Sequence, residues 1–271
     1  MSLLSSIQAH LPAFLVDVFR LCVWLVLLCA LFVPLERLFA LHRSPVLRPQ
    51  LLTDLGYYFL NSLLPALLLG APLAILAVAT QKIIPTAWTT ALASLPLAGK
   101  LLLALVIGEV GFYWGHRLSH QIPFLWRFHS IHHSAEIIDF LVNTRAHPVD
   151  MVVTRLFGLT PLYVLGLAGP GAGGSTTPVV LVLLGTLMGF FIHANLRWRF
   201  GPLEWLLASP AFHHWHHTRS DHINHNYAAM LPVLDRVFGT HYLPSHWPTD
   251  YGIETAMPIT LCGQLIAPLQ A

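Results

Sequence analysis

Three clusters of histidine carry the chemistry in this sequence. The first is His116 and His120 in "HRLSH", spaced H-x3-H. The second is His129, His132 and His133 in "HSIHHS", and the third is His213, His216 and His217 in "HHWHH", both spaced H-x2-H-H. His147 in "TRAHPVD" and His193 in "FIHAN" lie between them. On an α-helix, residues three and four apart share a face, with Cβ atoms about 5–6 Å apart. H-x3-H therefore presents two imidazoles together. H-x2-H-H presents its first and third histidines together, while the adjacent one diverges by roughly 100°. One motif can then supply two neighbouring metal ions. A single zinc ion takes about three or four protein ligands, so eight or nine imidazoles suit two ions with positions left open. Neutral imidazole suits iron, zinc, copper and nickel. H-E-x-x-H is absent, which argues against a zinc protease, and the Glu and Glu-x-x-His ligands of ferritin-like di-iron proteins are absent too. A di-iron site here would be built of histidine, wholly or mostly.

The elements that must position these residues read as membrane helices. Of 271 residues, 55% are hydrophobic and only 10% charged, against about 25% charged in an ordinary soluble domain. A spanning helix needs roughly 20 apolar residues. Candidates lie at about 12–34, 51–80 (broken by Pro65 and Pro72), 97–115, 150–168 and 177–195, the last two forming either spans or a re-entrant pair. The Gly-rich "GPGAGGS" between them reads as the tip of a helical hairpin. The N-terminal stretch lacks a basic region and an A-x-A site, so its apolar run is expected to be a retained helix.

Arginine and lysine set the expected orientation. With the N-terminus outside, the inner segments hold Arg37, Arg43, Arg48, Arg117, Arg127, Arg145, Arg197, Arg199, Arg219 and Arg236. The outer side holds Lys82 and Lys100. That topology brings all three clusters to one cytosolic face, and ionisable groups at membrane depth are kept mainly for function. The expected fold is all-α: a polytopic membrane bundle of about four to five spans with a cytosolic, His-rich helical cap holding a dinuclear metal site. Its divisions are 1–96, N-terminal transmembrane helices; 97–250, the catalytic unit; and 251–271, a C-terminal tail. The net charge of +2 and the absence of a basic run give no sign of a nucleic-acid partner. Cys22, Cys29 and Cys262 make no CxxC pair. His10, His42, His241 and His246 read as ordinary polar groups.

These motifs resemble the fatty acid hydroxylase and sterol desaturase superfamily of integral membrane di-iron oxygenases. "GFYWGHRLSH" resembles the lead into its first histidine box, "RFHSIHHS" the second, "NTRAHPVD" the Arg-x-His-Pro segment, "FFIHAN" the isolated histidine, and "SPAFHHWHH" with "NHNYAAMLPVLDRVFGTHY" the last box and its tail. The likeness spans about residues 100–245. Leu234 and Ala228 depart from the family's usual Trp and Gly, and Glu109 stands where Asp is frequent. The resemblance implies two iron ions that use O2 against an unactivated C–H bond of a bilayer lipid, giving an alcohol or, after a second hydrogen abstraction, a double bond. It places His116, His129, His132 and His213 on one iron and His120, His133, His193, His216 and His217 on the other. His147 is the extra candidate for the first iron. Glu109 is favoured as a hydrogen-bond partner of an imidazole, with a metal-site carboxylate or a bundle-facing helix residue as alternatives. His214 and Asn224 are candidates for orienting or surrounding the ligands, while His222 and His225 sit on a loop. Sterol, fatty acyl, ether-lipid and carotenoid substrates all fit the pattern.

The G-x-G-x-x-G spacing at 169–174 lies in a turn between two apolar helical stretches and not after a strand, so it is no dinucleotide site, and no iron–sulfur cysteine set is present. Electrons are therefore expected from a separate ferredoxin or cytochrome with an NAD(P)H reductase. The expected location is a bacterial inner membrane or an ER-type membrane. The competing class is a His-rich metal transporter or metal-binding protein, which would need a polar path through the spans; Glu109 and Arg155 are its main candidates.

Overall fold

The computed structural model describes residues 12–168, 176–219 and 221–270. All regular elements among these residues are helical, with two isolated bridges, Ala40 to Leu196 and Thr218 to Tyr251. In chain order the α-helices are α1 (Ala13–Leu38), α2 (Leu51–Ile83), α3 (Thr86–Ser94), α4 (Leu97–Gln121), α5 (Pro123–His133), α6 (Pro148–Val164), α7 (Thr176–His193), α8 (Pro210–His216), α9 (Val233–Val237) and α10 (Leu261–Gln270). Short 3-10 turns occupy Phe140–Thr144 and Gly201–Trp205. The hairpin tip expected at 169–175 lies outside the described residues.

Helices α1, α2 and α4 are long and apolar enough to cross a membrane. At about 1.5 Å per residue, even 25 residues exceed the roughly 30 Å hydrocarbon layer. The chain is a membrane protein on this reading. The fourth and fifth apolar stretches are helices as well, but shorter: α6 has 17 residues, and the apolar run of α7 is Val179–His193. Two details differ from expectation. Helix α2 continues through Pro65 and Pro72 for 33 residues instead of breaking there, because a span without water keeps its remaining backbone bonds inside the helix. A further helix, α3, fills the turn between the second and third spans, opening directly after Pro85.

One end of the bundle carries the cap. Helix α1 ends there, α2 begins there, and α4 and α7 end there. Glu36, near the end of α1, accepts the backbone N–H groups of Phe140 and Asn195, each at 2.8 Å. At the start of α2, Asp54 accepts Arg145 Nε–H at 2.6 Å and lies 2.6 Å from Arg48 Nη2. Arg48 also pairs with Asp139 at 2.5 Å, and Arg145 with Gln50. Arg48, Asp54 and Arg145 are all buried. These contacts cross the 96/97 boundary, so the N-terminal helices brace the cap directly.

Helix α4 carries the first histidine pair and packs closely on α6 through small residues. A Cβ on Gly111 would collide with the carbonyl oxygen of Phe157, and one on Gly115 would lie 2.6 Å from Phe157 Cβ. Small residues four apart allow such backbone approach between membrane helices. Gly111→Ala is expected to lower the melting temperature in detergent and loosen the histidine end of α4, since a backbone oxygen cannot step aside as a side chain tip can. Gly99→Ala, in the same helix, meets no neighbour closer than 4.0 Å and is expected to melt like the parent protein.

Candidate metal centre

Nine imidazoles converge at the cap end, from four elements. Helix α4 delivers His116 and His120, α5 delivers His129, His132 and His133, and α7 ends on His193. Helix α8 and the residue after it deliver His213, His216 and His217. Proline opens α5 and α8 at the first helical position, where its fixed φ and missing N–H cost nothing. Ser209 caps α8 by accepting the Phe212 N–H at 3.2 Å.

The ring nitrogens form two groups, each with ligand atoms within 4.8 Å of one another. His116, His120, His129, His133 and His216 make one, and His132, His193, His213 and His217 make the other. The groups adjoin at His133 and His217, whose rings stack with centroids 4.6 Å apart. This grouping differs from the one implied by resemblance. His120, His133 and His216 join His116 and His129, while His132 and His213 join His193 and His217. Helix geometry gives the reason. The i, i+4 pairs 116/120, 129/133 and 213/217 each stay together, and the intervening His132 and His216 diverge to the opposite group.

The residues fit metal ions. Five of the nine rings donate Nδ1–H to an oxygen: His116 to Tyr227 O at 2.7 Å, His129 to Asp150 Oδ1 at 3.0 Å, His132 to Arg145 O at 2.9 Å, His193 to Gly189 O at 2.6 Å and His216 to His225 O at 2.7 Å. With the proton on Nδ1, the Nε2 lone pair is left for a cation, the usual arrangement behind a metal-ligating histidine. His216 Nε2 is indeed buried with no hydrogen-bond partner. The Nε2 atoms of His193, His213 and His217 lie pairwise 3.0–3.1 Å apart. His193 has its proton on the other nitrogen, and such crowding of nitrogens suits a shared cation. Burial, helped by repulsion from neighbouring imidazoles, pushes His132 down to about 4 and holds His133, His213, His216 and His217 well below the usual histidine range. These rings are neutral near pH 7, the form that binds metal.

Other expected residues fall elsewhere. His147 caps α6: its Nδ1 accepts the Val149 N–H at 3.1 Å and its Nε2–H donates to Leu265 O at 3.3 Å. Both nitrogens are used, and it joins neither group. Glu109 meets no imidazole; its Oε2 accepts the N–H groups of Met230 at 2.8 Å and Leu231 at 3.2 Å. His214 is fully buried and lowered to about 4 by burial. Neutral, it donates Nε2–H to Ala194 O at 3.1 Å and accepts from Tyr251 Oη at 2.9 Å, bracing the residue beside His193. Asn224 is exposed on the turn near His120, whose Nδ1 has no hydrogen-bond partner. His222 stacks on Tyr242 at 3.7 Å, and His225 serves through its backbone carbonyl.

The supports that hold the rings were not singled out by sequence. Asn226 adopts φ +59, a left-handed conformation that Asn tolerates better than most residues. Its side chain is pinned to Phe212 O, Tyr242 O and Tyr242 N. The carbonyls on either side of it, His225 and Tyr227, are those that hold His216 and His116. Asp235 accepts the N–H groups of Tyr227 at 2.7 Å and Ala228 at 2.9 Å, fixing the same turn. Asp150 is the third residue of a proline-opened helix, a position that favours a carboxylate, and that was its available signal.

A bundle of apolar helices ending in a cap of nine clustered histidines defines a class of membrane protein with a histidine-lined centre that could hold two metal ions. A sequence profile described as fatty acid hydroxylase matches residues 101–240, more than half of the chain. The chain belongs to the fatty acid hydroxylase family. It is 35% identical over 178 residues to an ornithine lipid hydroxylase, OlsE, of Rhizobium tropici, covering 64% of this chain and 51% of that protein. It is 32% identical over 146 residues to an alkylglycerol monooxygenase of Xenopus tropicalis, covering 54% and 31%. With a very-long-chain aldehyde decarbonylase of Oryza sativa subsp. indica it shares 31% identity over 139 residues, covering 49% and 21%. The matched region spans about half the length, or less, of these relatives. No solved structure matches.

Proposed function

We propose that this chain is a membrane-bound non-haem di-iron oxygenase that hydroxylates a bilayer lipid, with desaturation as the other outcome open to the same site. The observation that carries the reading is the pair of buried imidazole groups, five and four strong, with five rings held by Nδ1–H bonds. His116, His120, His129, His133 and His216 would hold one ion, and His132, His193, His213 and His217 the other. Iron held there would supply the activation of O2 and the oxidation of an unactivated C–H bond. The chain's own residues fix the tautomers of five of the nine rings, and burial keeps the imidazoles neutral. The names of the relatives, two lipid oxygenases among them, support a lipid substrate. We assign the catalytic unit to residues 97–250, braced by Glu36 and Asp54 from the N-terminal helices.

The histidine cap is assigned to the cytosolic side, on the distribution of arginine. Of the ten arginines on that side, Arg48 and Arg145 are buried in ion pairs and Arg219 pairs with Glu136 and Asp250; the other seven are left to favour an acidic electron donor, a ferredoxin or small cytochrome with its reductase. The transporter reading loses support because Glu109, its main intramembrane acid, is occupied by two backbone N–H groups.

The test joins metal analysis with lipid profiling. Purified protein is expected to hold two iron ions per chain. Host membranes expressing it are expected to gain a lipid heavier by one oxygen; a lipid lighter by two hydrogens would mark the desaturase outcome. Unchanged lipids in membranes supplied with iron, O2 and reductant would overturn the proposal, and iron uptake into sealed vesicles would favour transport instead.

A further inference from the structure

The two histidine groups differ in what stands behind their rings. In the four-histidine group, the Nδ1–H bonds of His132 and His193 end on backbone carbonyls, those of Arg145 and Gly189. In the five-histidine group, His116 and His216 also donate to backbone carbonyls, of Tyr227 and His225. His129 is the exception: its Nδ1–H ends on the carboxylate of Asp150 at 3.0 Å, with both side chains buried. No arginine or lysine among the described residues pairs with Asp150. Asp54 and Asp139, by contrast, are each matched to arginine. The Asp150 charge is therefore offset only by the start of α6 and by whatever positive charge lies across the His129 ring.

A neutral carbonyl fixes the orientation of a ring. A carboxylate fixes it and also makes the far nitrogen a stronger donor, and removing such a partner typically weakens metal binding by about 10–100-fold. Resting on the two-metal reading above, we propose that Asp150 acts through His129 as a positioning residue that makes the five-histidine group the stronger-binding of the two metal positions. The first ion to enter the apoprotein goes to His116, His120, His129, His133 and His216. The second goes to the group whose rings have only neutral backing.

The test is titration of metal-free, detergent-solubilised full-length protein with Co(II), followed by its visible absorption. The parent protein is expected to fill in two steps. Asp150→Asn keeps the shape and a hydrogen-bond acceptor but removes the charge; it is expected to weaken the first step by about 10–100-fold and leave the second unchanged. An unchanged first step, or a shift of the second step alone, would overturn the proposal. Asp150→Glu, which keeps the charge on a longer stem, should recover part of the loss. A second measurement needs no variant: with one equivalent of Co(II), X-ray absorption of the parent protein should count five imidazoles around the metal, and a count of four would overturn the ordering. Saturation at a single equivalent would count against the two-metal reading. The Asp150 inference would still stand or fall on whether that one step weakens in Asp150→Asn.

Discussion

His132→Ala/His217→Ala is expected to lose one ion per chain and keep the other with unaltered affinity, and to lose lipid oxidation by more than about 100-fold, beyond the usual cost of losing an outer hydrogen-bond partner. Both residues belong to the four-histidine group, so that group is left with two ligands while the five-histidine group is untouched. His116→Ala/His216→Ala is expected to do the reverse. The grouping implied by family resemblance separates His132 from His217 and His116 from His216, and so predicts that each double variant weakens both ions. Metal content after dialysis, with the affinity of the remaining ion measured by chelator competition, decides between the two. Adjacent positions supply the control: His132 and His133 are consecutive, with ring centroids 5.5 Å apart, and both groupings assign them to different ions. His132→Ala/His133→Ala should weaken both ions at once. Two ions weakened together in His132→Ala/His217→Ala would sink the geometric grouping.

This contrast shows how far the sequence could be read. Spacing alone predicts that 116/120, 129/133 and 213/217 travel as pairs and that 132 and 216 diverge, because those statements are properties of a single helix. Assigning the divergent rings to a shared ion needed the mutual placement of α4, α5, α7 and α8, which no local pattern encodes. The long apolar runs were legible for the same reason as the pairs: hydropathy over some 20 residues is a local property. What stayed hidden were contacts between distant segments. Glu109 looked like a partner for histidine because it precedes His116 on the same helix, but its acceptors turn toward residues 230 and 231, far along the chain. His147 looked like a ligand because of its motif, but the proline after it starts a helix and turns its ring into a cap. Asn226 and Asp235 matter through backbone carbonyls and N–H groups, which leave no trace in residue type beyond a preference for turns.

The brace beneath the cap should be the most fragile point of the fold. Asp54→Asn is expected to destabilise the protein by roughly 3–5 kcal/mol, the range for removing one partner of a buried ion pair. Asp54 is shared by two guanidinium groups, with Arg145 Nε and Arg48 Nη2 each 2.6 Å from its oxygens and all three side chains at most 1% exposed. Neutralising it leaves Arg145 with no acid partner and Arg48 with Asp139 alone. The damage should reach the metal centre, because the carbonyl of Arg145 is what holds His132 Nδ1 at 2.9 Å. Metal loss from the four-histidine group is therefore expected at temperatures where the five-histidine group still holds its ion. Asp139→Asn provides the comparison: its side chain is 14% exposed, and Arg48 keeps Asp54 when it is lost, so a smaller drop in melting temperature is expected. Replacing the triad together, as Arg48→Met/Asp54→Leu/Arg145→Met, removes the unpaired charge and should recover part of the stability lost by Asp54→Asn. If Asp54→Asn melts no lower than Asp139→Asn, the network is not what fixes the cap on the N-terminal helices.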